Sequence, residues 1–141
     1  MYGNPTFDCD GASIRAHCRQ LATVVTIKGA VDDANVECVR RHVRRFILAE
    51  KPFVLDLSDV ISFDREAISL LFTVDDVCTA AGGVEWSLVA SRSVEQALGE
   101  CGIEFDAAGS VPEALNHFAD AWWHGVSYSH FSPRPRKGSL C

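Results

Sequence analysis

Residues 13–20, SIRAHCRQ, set Ile14, Ala16 and Cys18 against Arg15, His17 and Arg19. This alternation has the period of a half-exposed strand and suits a sheet edge. ATVVTIKGAV (22–31) is β-branched and mostly apolar, so a more buried strand follows after a short break that fits an antiparallel hairpin. The period then changes. In DDANVECVRRHVRRFILAE, Val36, Val39, Val43, Phe46 and Ile47 recur at spacings of three and four, the apolar stripe of a helix. Asp32 or Asp33 is placed to cap its start.

The same alternation of periods continues along the chain. PFVLDLSDVISF (52–63) reads as a strand and its exit loop, with Pro52 at the first position, where a missing N–H is harmless. REAISLLFTVDDVCTAA is a second helix with Ala67, Leu70, Leu71, Val74, Cys78 and Ala81 on one face, closed by Gly82-Gly83. VEWSLVA is a strand, and SVEQALGEC is a short helix with Ser93 and Gln96 spaced as a capping box. IEFDA is a short strand. SVPEALNHFADAWW is a last helix with a second box, Ser110 and Glu113, and Leu115, Phe118 and Trp122 facing the core. The adjacent Trp122 and Trp123 cannot both face inward, so one is expected at the surface, under the C-terminal tail, partly exposed or in a dimer contact.

The predicted order β-β-α-β-α-β-α-β-α implies right-handed crossovers and an α/β fold: a mixed sheet of four or five strands, mostly parallel, with about four helices. Residues 13–124 are expected to form this domain. Residues 1–12 are expected to be loose, and 125–141, GVSYSHFSPRPRKGSLC, without periodicity, to be a disordered basic tail.

Composition narrows the function classes. The 141 residues carry a net charge of -6. Arg134, Arg136 and Lys137 lie in the tail, so the body is more acidic than the total, which argues against nucleic acid as a partner. No apolar run reaches the length of a membrane span. The first residues show neither a basic start nor an apolar run, so a cytoplasmic location is expected and no membrane partner. There are six cysteines. In that compartment Cys18, Cys38, Cys78 and Cys101, inside predicted elements, are expected to be reduced thiols, with Cys9 and Cys141 on loose ends as the redox candidates. No Cys/His spacing is that of a zinc site, and no metal or cofactor is expected. The five histidines are scattered and suit packing or surface roles. No phosphate-binding glycine loop and no nucleophile motif occurs, so no catalytic residue is assigned and an enzyme is not expected.

What remains is geometry. In alternating α/β sheets, sites form where parallel strands end and helices begin. Three junctions share that rim: Asp32-Asp33, Ser62 to Glu66, and Ala90 to Ser93. The middle one carries the charged triplet Asp64-Arg65-Glu66. Acids are stabilised at helix N-termini by roughly 0.3–1 kcal/mol, so Asp64 as N-cap with Glu66 two residues on has a purely structural explanation too.

Four segments spanning about 24–106, in order, carry a resemblance. VVTIKGAVD, FVLDLSDVISFD, AAGGVEWSLVA and SVEQALGECGI resemble the strand-and-turn, central-strand, glycine-pair and short-helix segments of the STAS domain (sulfate transporter and anti-sigma factor antagonist). The resemblance is to its free-standing bacterial form, the anti-sigma factor antagonist. The resemblance implies a regulatory module that binds a kinase-type anti-sigma factor and frees a sigma factor. In the family the middle loop reads D-S-[ST]-G, and the second hydroxyl residue is phosphorylated. Here the matching residues are Asp64, Arg65, Glu66 and Ala67. Asp64 is kept, Glu66 stands at the acceptor position and cannot be phosphorylated by a serine kinase, and Asp32 matches the family's other rim aspartate. Glutamate carries one negative charge against about 1.5–2 on phosphoserine.

Three readings of that replacement stand: a fixed phospho-like state, a constitutive complex with a partner adapted to Arg65 and Glu66, or a lost switch. Ser62 is the nearest remaining hydroxyl. The expected partner surface is Asp32, Asp33, Ser62, Asp64, Arg65, Glu66 and Ser69. Arg40, Arg41, Arg44 and Arg45 read either as a solvated face or as a secondary contact for an acidic partner. A monomer or weak homodimer is expected. The alternative of a different class is a ligand- or thiol-redox-sensing module that does not act on sigma factors.

Overall fold

A computed structural model of the chain describes residues 6–104, 107–123 and 134–135. It is an α/β fold. The elements are β1 (Thr6–Cys9), β2 (Ala12–Cys18), β3 (Thr23–Val31), α1 (Val36–Arg45), β4 (Phe53–Phe63), a 3-10 turn (Arg65–Ile68) running into α2 (Ser69–Ala80), β5 (Trp86–Ala90), α3 (Arg92–Glu100), β6 (Ile103–Glu104), β7 (Ala107–Ala108), α4 (Val111–Trp123) and β8 (Arg134–Pro135).

The main sheet has six strands in the order β1-β2-β3-β4-β5-β7. β1-β2 and β2-β3 are antiparallel; β3-β4, β4-β5 and β5-β7 are parallel, as right-handed β-α-β crossovers require. The sheet is therefore mostly parallel, as predicted, but one strand larger. The extra strand is β1, which lies in the segment expected to be loose. Asp10 (φ 45°) and Gly11 (φ 104°) turn the chain back in two residues, and Cys9 pairs with Ala12. Both central residues have positive φ, the requirement of a type I′ hairpin, and an Asp-Gly pair meets it at little steric cost.

Helices cover the sheet unequally. Odd positions of the central strand, Phe53, Leu55 and Leu57, face a large core with Val39 and Val43 of α1, Leu70, Leu71 and Val74 of α2, and Val94 and Leu98 of α3. The opposite face packs Val24, Val54 and Val89 against Ala114 and Phe118 of α4. Burying each such side chain contributes roughly 1.5–3 kcal/mol, so the two cores carry the fold.

Several local expectations are corrected. α1 starts after Asn35, and neither Asp32 nor Asp33 caps it directly. The cap of α3 is Ser91, whose Oγ accepts from the Val94 N–H at 3.3 Å. Ser93 instead donates to the Ile61 carbonyl at 2.8 Å, tying α3 to the end of β4. Half of the box at α4 forms: Ser110 Oγ accepts from Glu113 N–H, while the Glu113 carboxylate accepts from the N–H of Gly109 instead of that of Ser110. The IEFDA strand divides: Ile103–Glu104 pairs with Arg134–Pro135, and Ala107 takes the sheet edge beside Leu88. Apart from Arg134–Pro135, the tail expectation lies outside the described residues, as do the side chains of Trp122 and Trp123.

Candidate functional site

Parallel strands bring their C-terminal ends to one edge, so the junctions after β3, β4 and β5 form one rim. β4 reaches it by an irregular route. Its pairing with β3 shifts twice, between Thr26 and Lys28 and between Gly29 and Ala30. The shifts replace a period of two with one of three: Leu57, Val60 and Phe63 point inward while Ser58, Asp59, Ile61 and Ser62 are exposed. Phe63 anchors the last turn of the strand in the core, and the Asp64 N–H donates to the Val31 carbonyl at 3.0 Å. The triplet is therefore held rigidly at its base and open at its side chains.

Asp64 is the residue before the 3-10 turn, at φ -76° and ψ 162°, and its side chain makes no capping bond. Ala67 and Ile68 are buried immediately after it, which leaves Asp64, Arg65 and Glu66 exposed together on the outer side of the turn. Among the described residues none of these three side chains is spent on a hydrogen bond or ion pair. With Phe63, Ala97, Glu100 and Cys101 they line a groove of about 350 Å³ between this turn and the end of α3. Among the described residues Arg65 is its one cation beside three acids. Glu100 and Cys101 were not foreseen as part of the site, because their approach depends on how α3 crosses the sheet.

The other sequence-derived candidates divide. Ser62 and Asp33 are exposed at the rim. Asp32 is largely occupied: its Oδ1 accepts from the N–H groups of Ala34 and Asn35 at 3.0 and 3.1 Å, building the turn into α1. Ser69 is also occupied, since its Oγ donates to the Glu66 carbonyl at 2.9 Å and accepts from Arg40 Nη1 at 3.4 Å. Arg40 in turn pairs with Glu37 at 2.7 Å. It thus links α1 to the base of the triplet rather than standing free. Arg41, Arg44 and Arg45 are exposed. Arg44 and Arg45 lie in the last turn of α1, roughly 13 Å along the axis from the rim, where cations suit the helix dipole.

The cysteines differ from expectation. Cys9 is 2% exposed in β1 and is bonded to Cys38 of α1, across 29 positions. Cys101 is also in a disulfide. Cys18 is free and exposed, and Cys78 is free and buried, its thiol pushed up to about 12 by burial and then by the Asp75 carboxylate. Near the Cys9–Cys38 bond lies His42, one helical turn beyond Cys38, its ring stacked on Phe7 at 4.5 Å. Burial, then Arg45 and Arg41, hold its pKa below the usual histidine value. One sulfur of each cysteine and a ring nitrogen of His42 all lie within 4.8 Å of one another. Sequence spacing had pointed to no such group.

Among the described residues no helix is long and apolar enough to cross a membrane. The STAS domain profile matches residues 13–111. The chain is 50% identical over 125 residues to Osmosensory protein A of Mycobacterium tuberculosis, covering 84% of this chain and 78% of that protein. Its fold is similar to that of an anti-sigma factor antagonist from Mycobacterium paratuberculosis (TM-score 0.64, 16% identity, 79% of this chain and 97% of that one). It is also similar to that of the anti-sigma factor antagonist SpoIIAA in its unphosphorylated form (TM-score 0.53, 14% identity, 82% and 99%). The segments, the sheet order and these matches agree: the chain belongs to the STAS domain family.

Proposed function

We propose that the protein is a regulatory binding module of the anti-sigma factor antagonist kind. It would occupy a kinase-type anti-sigma factor through the rim and so release a sigma factor. One observation carries the reading: Asp64, Arg65 and Glu66 stand exposed, and unpaired among the described residues, on a turn anchored by Phe63, at the junction that in this family meets the partner. Asp33, Ser62 and the groove wall at Glu100 extend that surface. Asp32 and Ser69 support it from behind rather than make contact.

Glu66 replaces the phospho-acceptor hydroxyl, so the module is inferred to lack the phosphorylation switch. Arg65 supplies a guanidinium that can take a carboxylate of the partner in a two-point contact, which favours a constitutive complex over a purely repulsive acidic loop. The 50% identical relative is called Osmosensory protein A, so a change of osmolarity is the condition under which to compare the complex in cells. A second reading, a redox-responsive module, is favoured by the Cys9–Cys38 bond, which joins the edge of the sheet to the helix that follows Asp32.

The test is binding of the purified protein to each anti-sigma kinase of its own cell, with wild type beside Glu66→Ser and Arg65→Ala, with and without ATP. Tight wild-type binding that ATP leaves intact and Arg65→Ala weakens is the expected result. Binding only by Glu66→Ser, abolished by ATP, would mean that Glu66 imitates a permanently phosphorylated loop. Absence of binding by every form would overturn the anti-sigma reading.

A further inference from the structure

We propose that Cys9, Cys38 and His42 form a binding site for a soft divalent cation of the zinc type, available when the Cys9–Cys38 bond is reduced. The site and the disulfide are then two mutually exclusive states of the same pair of sulfurs.

The geometry requires only small movements. Tetrahedral zinc, with Zn–S of about 2.3 Å and Zn–N of about 2.0–2.1 Å, places its ligand atoms roughly 3.4–3.8 Å apart. The two sulfurs and the His42 ring nitrogen already lie within 4.8 Å of one another, and the two cysteine Cα atoms are 5.8 Å apart. Cleavage frees the sulfurs to separate by side-chain rotation. Cys38 and His42 are four residues apart on α1, so both project from one face of the helix.

The backbone that presents these groups is held by bonds that reduction does not touch. Cys9 is paired with Ala12 across the hairpin, and its carbonyl accepts from Asn35 Nδ2 at 2.9 Å. Asn35 immediately precedes α1, so the strand and the helix bearing the three groups stay connected at their base. Phe7 lies against the imidazole with the ring planes 17° apart and restrains its tilt. His42 Nδ1 is buried and has no hydrogen-bond partner among the described residues. Buried polar atoms normally have one, and a ring nitrogen of the same imidazole lies within 4.8 Å of both sulfurs, so the unsatisfied ring points to a missing ligand.

The donor set fits the ion. Two thiolates and an imidazole select zinc-type ions over magnesium or calcium, which prefer oxygen. Two thiolate charges cancel those of the dication, so the occupied site adds no net charge beside Arg41 and Arg45. Three protein ligands leave the fourth position to water or to an outside donor.

The chemistry balances with a dithiol as reductant. The dithiol gives two electrons and two protons to the Cys9–Cys38 bond and becomes its own cyclic disulfide, leaving two protein thiols. Binding of the cation then releases the two thiol protons to solvent. In the reverse direction an oxidised dithiol takes two electrons from the two sulfurs and two protons from solvent, the S–S bond re-forms and the cation leaves.

The test uses the full chain, reduced and then desalted under argon, titrated with cobalt(II) as a spectroscopic probe and then with zinc. The expected result is one equivalent of cobalt showing thiolate-to-metal charge transfer and the visible bands of a tetrahedral site, bleached by zinc. The signal should be absent from the oxidised protein and from Cys38→Ser. It should survive Cys18→Ser, and His42→Gln should weaken the affinity by about tenfold or more. Circular dichroism establishes that each variant is folded, and His42→Gln leaves both cysteines in place should Cys38→Ser not fold. A second readout is the rate at which Cys9 and Cys38 re-oxidise, which zinc should slow in wild type and not in His42→Gln. Reduced wild type without the charge-transfer band would overturn the proposal. So would a band indifferent to Cys38→Ser and His42→Gln but lost with Cys18 or Cys101.

Discussion

The side-chain amide of Asn35 donates to the carbonyl oxygen of Cys9 at 2.9 Å, across 26 positions of sequence. The same nitrogen reaches the carbonyls of Asp10 at 3.1 Å and Ala30 at 2.9 Å, and its Oδ1 accepts from the Asp32 N–H at 2.9 Å. Asn35 is 1% exposed, so none of these groups has water as a ready alternative. One amide thereby joins the β1–β2 turn, the end of β3 and the start of α1, which are the elements that carry the Cys9–Cys38 pair and Asp32.

Asn35→Ala should destabilise the protein by roughly 2–4 kcal/mol, since it orphans several buried backbone groups at once. Urea unfolding of the oxidised protein measures the loss, and a change of only a few tenths would contradict the role. The same variant should speed reduction of the Cys9–Cys38 bond by a dithiol, because β1 loses its tie to the helix.

Two glycines separate backbone strain from collision. Gly82 has φ 101° and open space around the site of a Cβ, so Gly82→Ala should cost roughly 1–2 kcal/mol from the left-handed backbone alone. Gly29 has the same φ, but its Cβ would lie 2.2 Å from the Gly11 carbonyl oxygen. That oxygen accepts from the Ala30 N–H at 3.0 Å and cannot retreat without breaking the hairpin contact. Gly29→Ala should therefore cost roughly 3 kcal/mol or more. Equal losses at the two sites in chemical denaturation would contradict the collision.

Thiol labelling should distinguish Cys18 from Cys78, the two free cysteines among the described residues. With its thiol at about 12, Cys78 is ionised to only about one part in ten thousand at pH 8, and it is 1% exposed. Brief iodoacetamide treatment of the native, unreduced protein should modify Cys18 and spare Cys78, with Cys78 reacting once denaturant is added. Mass spectrometry of the peptides reads both. Comparable native labelling would mean that α2 opens far more readily than its packing implies.

Burial raises the pKa of Glu85, and the nearby His117 opposes the shift only partly. The folded protein therefore binds this proton more tightly than the unfolded chain. The contribution is fully present below the unfolded carboxylate value, about 4.3, and is lost as pH rises through the folded one. Glu85→Gln should be more stable than wild type near pH 7, with the difference shrinking toward pH 3. Urea midpoints at the two pH values check the sign, and a difference that grows in acid would reverse it.

Much of the fold was legible in the residues alone because it is encoded over short distances. Val36, Val39 and Val43 repeat at helical spacing and are buried as a helix face. Phe53, Leu55 and Leu57 alternate and fill the core. Ser110 and Glu113 form their cap within one turn. The charged triplet at 64–66 could be placed at a strand–helix junction for the same reason, and the family segments around it supplied the rest. Where the local signal was present but unread, the structure shows what it was: Asp10-Gly11, between Phe7 and Ala12, is a two-residue hairpin turn.

By itself, then, the sequence determined the alternation of elements, the two apolar faces and the position of Asp64, Arg65 and Glu66. Those follow from side-chain periodicity and backbone preference, which act between near neighbours. Only the tertiary structure decided that Cys9 meets Cys38 and His42, that Asn35 ties the β1–β2 turn and the end of β3 to the start of α1, and that Glu100 and Cys101 wall the groove. Each of those contacts joins residues that periodicity treats as unrelated. Which pairs meet depends on strand register and helix crossing, and these are set by closing the whole core at once.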